Sequence, residues 1–119
     1  MIAIDDTTTI GAAFQRAAQT YGPNSLLAVP ANPARVYDPA GREISYAQAA
    51  DAVNALMVLY RAAGYGLGHR VGLFLESRPE HVLHKLALNT LGICCVPINP
   101  DYRPRELAYL VDHAKVDLI

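Results

Sequence analysis

Apolar residues recur along this chain with two alternating periods. Ile10, Ala13, Phe14, Ala17, Ala18 and Tyr21 share one face at helical spacing, which predicts a helix over residues 9–21. Thr7, Thr8 and Thr9 offer an N-cap, and Gly22-Pro23 stops the helix. A turn-rich stretch follows. Arg35-Val36-Tyr37 and Arg42-Glu43-Ile44 flank Asp38-Pro39-Ala40-Gly41. Two short extended runs around such a turn predict a β-hairpin. Ser45 and Gln48 then have capping-box spacing. The helix they open carries Ala49, Ala52, Val53, Leu56, Leu59 and Ala63 on one face, and Gly64 stands where a left-handed cap belongs.

Beyond Gly64 the pattern is regular. Residues 70–75 form a short apolar run that reads as a buried strand. Ser77 and Glu80 have capping-box spacing, with Pro79 in the first helical turn. The helix runs through Val82, Leu83, Leu86, Ala87 and Leu91 to Gly92. Residues 94–98 are a second strand and 99–103 a loop. Pro104 opens a helix whose buried face is Leu107, Leu110, Val111 and Ala114, and residues 116–119 are a third strand. The fold class is therefore α/β. It is an incomplete βαβαβ parallel sheet with flanking helices, preceded by an N-terminal helix and a β-hairpin. Helices of about 13 residues and strands of about six both span about 20 Å, as a crossover unit needs. The third strand needs a further element to pair with or cover it. The pattern predicts a cut through a larger sheet.

The composition agrees with a packed chain. Its 119 residues are one domain's length, and 52% hydrophobic with 18% charged residues excludes disorder. No apolar run approaches the roughly 18 residues of a membrane span. The N-terminus has neither a basic flank nor an apolar block, so a cytoplasmic protein is expected. Ten Lys and Arg stand among eleven acids, for a net charge of -1. That balance argues against nucleic-acid binding, where neutralised phosphates carry the affinity, and against a polybasic membrane patch.

Candidate chemistry is sparse. Cys94 and Cys95 are adjacent, so they cannot staple distant segments, and a vicinal disulfide is strained. They read as small apolar residues on a buried strand. Gly64, Gly66 and Gly68 follow a helix and precede a strand. The dinucleotide fingerprint needs the reverse order, so they read as a turn. His81 and His84 beside Glu80 lack zinc-helix spacing, while His69 and His113 lie on other elements. Only Lys85 and Lys115 are lysines, and neither follows a phosphate-cradling loop. No nucleophile elbow is present.

Three segments carry a resemblance. Ile44-Ser45-Tyr46-Ala47-Gln48-Ala49 resembles the early Leu-Ser/Thr-Tyr motif of the AMP-forming adenylating enzymes. Residues 70–80, from Arg70-Val71-Gly72-Leu73 to Pro79-Glu80, resemble that family's strand-to-helix passage. Residues 88–100, with Gly92 and Val96-Pro97-Ile98-Asn99-Pro100, resemble its second core motif. Residues 101–107 and 116–119 continue the same order. The chain thus resembles the N-terminal part of the superfamily's large domain, and Asn99-Pro100-Asp101-Tyr102-Arg103-Pro104 is most similar to acyl-CoA ligases.

The resemblance implies a parent that joins a carboxylic acid, ATP and CoA into acyl-CoA, AMP and pyrophosphate through an acyl-adenylate. It implies ATP, Mg2+ and CoA for the full-length family and none of them for this segment. Residues 1–44 would hold the N-terminal helix and hairpin, and 45–119 the scaffold, stopping before the phosphate loop. No catalytic, cofactor-binding or metal-binding residue of the family falls on a position here. The matched residues are scaffold: Gly64 and Gly92 as helix ends, Pro97 and Pro100 at loops, Tyr46 and Leu91 in the core. The expectation is an inactive segment whose partner is the rest of the ligase chain. The alternative is a non-catalytic interaction module that self-associates through its exposed third strand.

Overall fold

The computed structural model describes residues 1–119. Helix α1 (Ile10–Tyr21) starts where the Thr9 hydroxyl accepts the Ala12 amide at 3.1 Å. Phe14 and Ala17 face the core, but Ile10 is exposed. Gly11 takes the inner position instead. A Cβ on Gly11 would stand 2.6 Å from Thr90 Oγ1, so this helix approaches its neighbour backbone-first.

The hairpin exists, but its first arm differs from the expected one. Strand β1 (Ser25–Val29) pairs antiparallel with β2 (Arg42–Ser45), placing Leu27 opposite Ile44 and Val29 opposite Arg42. Residues 35–37 are not a strand. The Arg35 guanidinium donates to the carbonyls of Pro30, Tyr37 and Asp38, which curls the segment back on itself. Proline at 30, 33 and 39 also removes ladder donors there.

Helix α2 (Tyr46–Ala62) opens with the expected capping box. Gln48 N donates to Ser45 Oγ at 3.2 Å, and Ser45 N donates to Gln48 Oε1 at 2.9 Å. Gly64 follows at φ +86°, the left-handed exit. Strand β3 (Arg70–Leu73), helix α3 (Pro79–Thr90) and strand β4 (Cys94–Pro97) make the expected βαβ crossover. The two strands are parallel, with Arg70 opposite Cys94 and Leu73 opposite Pro97. After helix α4 (Pro104–Ala114) the chain returns to the other side of β3. There the expected third strand is reduced to one parallel bridge, Val71 to Leu118. It is supported by Gly72 N donating to Leu118 O at 2.7 Å and Asp117 N to Arg70 O at 2.8 Å.

The Ser77 capping box is absent. Arg78 is the N-cap residue of α3, Pro79 is its first helical residue, and no side chain caps it. Glu80 turns instead to guanidinium groups, at 2.8 Å from Arg78 Nε and 3.0 Å from Arg42 Nη1. Two guanidinium groups offer the carboxylate ion pairs, where a capping box offers it one backbone amide.

Two small cores hold these elements. Phe14, Ile44, Ala49, Val53, Leu83 and Ala87 pack α1, α2 and α3 over the hairpin. Val71, Leu73, Leu88 and Ile93 pack α3 against the parallel strands. Burial is shallow elsewhere. Leu107, Leu110, Val111 and Ala114 are the inward face of α4 as expected, but they reach only half-burial, and no α4 residue is buried. Leu59 is exposed rather than packed. Cys94 is exposed and Cys95 half-buried, because β4 is an edge whose outer side is uncovered. The accessible surface is 7612 Å², against about 6,300 Å² for a finished domain of this mass. The radius of gyration is 15.7 Å, against about 13.5 Å for a compact chain of this length.

Candidate functional site

Parallel strands send their carboxyl ends to one edge of the sheet, where open α/β sheets take ligands. Here β3 runs into residues 74–78, and β4 runs into Ile98-Asn99-Pro100. Ile98 N donates to Leu73 O at 3.0 Å, holding the two exits together. Residues 30–41 reach across from the hairpin to this edge. Between them lies a cleft of about 360 Å³, lined by Val36, Tyr37, Phe74, Leu75, Glu76, Arg78 and Pro100.

Tyr37 anchors that reach. Its hydroxyl donates to Ser77 O at 2.9 Å. The guanidinium carbons of Arg35 and Arg78 sit 5.0 and 4.7 Å from its ring centre, at cation–π distance. Burial pushes the Glu80 carboxyl up, but hydrogen bonds from Arg78 and Arg42 outweigh it and hold the group below its ordinary range. Asp38 stands at φ +44°, and its Oδ2 is buried without a hydrogen-bond partner, 4.0 Å from Arg42 Nη1.

A second, larger concavity of about 570 Å³ opens beside α2. Leu56, Leu59 and Ala63 form one wall, and Val71, Leu73 and Leu118 form the other. Tyr60 and His84 meet there. The Tyr60 hydroxyl and His84 Nδ1 are 2.7 Å apart. Burial pushes the His84 imidazole down, with His81 adding to the effect and Glu80 opposing it. A neutral ring with its proton on Nε2 is the tautomer that accepts the Tyr60 O–H as a hydrogen bond at Nδ1. Burial raises the Tyr60 phenol, and the nearby Cys95 thiol adds to it. These groups satisfy each other, as packing residues do.

The remaining candidates are dispersed. Burial raises the Cys95 thiol, against a smaller pull from Lys85. It therefore stays protonated at neutral pH and is a poor nucleophile. His69 Nδ1 accepts the Gly66 amide at 3.1 Å inside the glycine turn, and His113 stacks on Tyr109. Lys115 pairs with Asp112 at 3.2 Å. Gly64 and Gly68 take left-handed φ in a turn leading into β3 rather than into a helix. No three His, Cys, Asp or Glu side chains converge on one metal position.

The four helix N-termini do not fit nucleotide phosphates. Thr9 Oγ1 takes the Ala12 amide of α1, and in α2 the amides of Tyr46, Ala47 and Gln48 go to Asn24 O, Gly22 O and Ser45 Oγ. Helices α3 and α4 open with proline, which has no N–H, and with Glu80 and Glu106 in the first turn. Glu80 there is already paired with Arg78 and Arg42, and Glu106 accepts the Arg103 amide.

Sequence reasoning missed the Arg35–Tyr37–Arg78 assembly. Its only signal is an Arg-x-Tyr run between prolines, which the hairpin reading absorbed. Arg78 joins it only through the tertiary fold.

Comparison with known proteins adds the following. Residues 14–119 match the family described as AMP-binding enzyme. Crotonobetaine/carnitine–CoA ligase of Salmonella paratyphi A is 31% identical over 78 residues, covering 66% of this chain and 15% of the ligase. The ligase of the same name from Proteus mirabilis is 28% identical over 78 residues, with the same coverage. Among solved structures, apo MatB from Rhodopseudomonas palustris matches 66% of this chain with a TM-score of 0.62 and 29% identity, over 16% of that protein. The N-terminal subdomain of Klebsiella oxytoca NpsA, solved with 3-hydroxybenzoyl-AMSN, matches 98% of this chain with a TM-score of 0.80. Its identity is 21%, so it speaks for the fold alone, over 28% of that chain. No helix is long and apolar enough to cross a membrane.

Proposed function

This chain belongs to the AMP-binding enzyme family, and from that premise we propose that it is the N-terminal scaffold segment of an ATP-dependent acyl-CoA ligase. On this reading the parent is a cytoplasmic enzyme of fatty-acid metabolism. It converts a carboxylic acid, ATP and CoA to acyl-CoA, AMP and pyrophosphate through an acyl-adenylate. Residues 1–44 supply the N-terminal helix and hairpin, and 45–119 the first parallel strands with their helices. The segment has no catalytic, cofactor-binding or metal-binding residue of its own and is inactive by itself. Its partner is the rest of the ligase.

The observation that carries the reading is the excess surface. A chain of this mass exposes about 1,300 Å² less when its faces are finished. Here no α4 residue is more than half-buried, and Leu59, Phe74 and Ile119 stand exposed beside the parallel strands. The CoA-ligase names of the relatives supply the chemistry, and the chain spans 15% of their length. The reading frame downstream of codon 119 tests it. An in-frame continuation into a Ser/Thr/Gly-rich loop supports the proposal, and a stop codon directly after Ile119 overturns it.

A second reading has its own observation. Residues 116–119 make a single bridge, and Ile119 is 56% exposed on an unpaired edge. An open edge of this kind pairs with other chains, so we also propose self-association through it as the alternative function. Light scattering separates the two: a discrete dimer favours self-association, and a monomer at all concentrations removes it.

A further inference from the structure

The connection between β1 and β2 has the build of a moving part. Its two ends leave side by side from the Val29–Arg42 pair, the last of the hairpin ladder. At the root, Gly41 has φ +84°, and a Cβ there would stand 2.9 Å from Val29 O. Within the connection the bonds are internal. Asn32 N donates to Pro39 O at 2.9 Å, and Arg35 ties three of its carbonyls together. The segment therefore carries its own shape and does not depend on the sheet for it.

Its contacts with the sheet are few and concentrated. Beyond the root pair Arg42–Glu80, they gather at Tyr37, whose hydroxyl reaches Ser77 O and whose ring lies under the Arg78 guanidinium. Val36 beside it is wholly exposed. The 360 Å³ cleft is walled by Val36 and Tyr37 on one side and by Phe74, Leu75 and Pro100 on the other. Lifting residues 36 and 37 away removes one wall.

We propose that residues 30–41 are a strap, latched by Tyr37 across the carboxyl edge of the parallel sheet, and that the strap and the loop at 74–78 open and close as one unit. The latch is one hydrogen bond to a neutral carbonyl and one guanidinium–ring contact. Interactions of that kind together favour the closed form by about ten- to a hundredfold. That margin leaves an open population large enough to see. Tyr37 is a positioning residue in this device: it touches no reacting group, and it sets where the 74–78 loop stands. Moving as one unit, the two segments share one open population, so a change that frees the strap frees the loop with it.

Nitrogen-15 relaxation dispersion on the full 119-residue chain tests this, since opening of such segments falls on the μs–ms scale. In the unmodified chain, residues 34–38 and 74–77 are expected to exchange with one rate and one population. Tyr37→Leu should raise the open population of both groups about tenfold, with α1 and α3 resonances unmoved as the check on folding. Tyr37→Phe removes only the hydroxyl and should give a smaller rise in both. Separate rates for the two segments would overturn the proposal. So would a strap that loosens while 74–77 stays rigid, or two segments that both stay rigid in the leucine variant.

Discussion

Leu88→Ala is the sharpest probe of the smaller core. Leu88 is fully buried on α3 and packs with Val71, Leu73 and Ile93. Truncation removes the transfer free energy of the lost carbons and leaves a cavity that neighbours fill only in part. Fully enclosed leucines cost about 3–5 kcal/mol by this route. Here the neighbours include Tyr60, Tyr65 and Leu91, which are half-buried and free to settle inward, so a cost of about 3 kcal/mol is expected. Small domains have about 5–15 kcal/mol in total. With 15 of 119 residues buried, this chain belongs at the bottom of that range, and the variant loses about half its stability. Urea unfolding followed by circular dichroism reads it. At a slope of about 1.5 kcal/mol per molar, the midpoint should fall by about 2 M. Val58→Ala is the control, because Val58 is 63% exposed and its cost should stay within about 0.5 kcal/mol. A Leu88→Ala midpoint that moves no further than the control would refute the assignment of this cluster as a core.

Three further outcomes follow from local features. Ser45→Ala breaks one half of the capping box at 3.2 Å and should cost about 1 kcal/mol in the same urea titration; no change would mean the box is not holding α2. Gly64→Ala forces a side chain into φ +86° with open space around it, so the cost is conformational only, about 1 kcal/mol, and a stabilised variant would contradict the left-handed exit. His84 supplies a pH dependence. Its folded-state affinity for protons lies below the ordinary value near 6.5 because of burial, so its contribution is whole above pH 6.5 and is lost as pH falls through the lowered folded value. Unfolding free energy should therefore drop as pH falls below about 6.5, and His84→Gln should flatten that slope; an equal slope in both proteins would exclude His84 as its source.

Much of this fold is legible in the residues, and the misses share a cause. Capping at Thr9 and Ser45, the helix exit at Gly64 and the parallel pairing of 70–73 with 94–97 depend on neighbours in sequence or on a simple period. Those signals survive whatever surrounds them. The errors are errors of depth and of long-range competition. Leu107, Leu110 and Val111 share a face as their spacing requires, but periodicity tells direction and not how much lies on the other side. Cys94 and Cys95 were expected to be buried for the same reason, and an uncovered edge leaves one exposed. Arg35-Val36-Tyr37 has strand-like spacing, yet an arginine bonding three carbonyls overrides it. Glu80 left its expected cap for two guanidinium groups that only the tertiary fold brings near. The Tyr37 latch has no sequence signature for the same reason: its partners Ser77 and Arg78 lie some forty positions away.

The central claim is that this segment builds scaffold and performs no adenylation of its own. Pyrophosphate release tests it most directly, with the purified 119-residue chain, ATP, Mg2+, CoA and a panel of fatty and aryl carboxylic acids. The account predicts release no faster than in the protein-free control with every acid. Release that grows with protein concentration and requires the acid would contradict it.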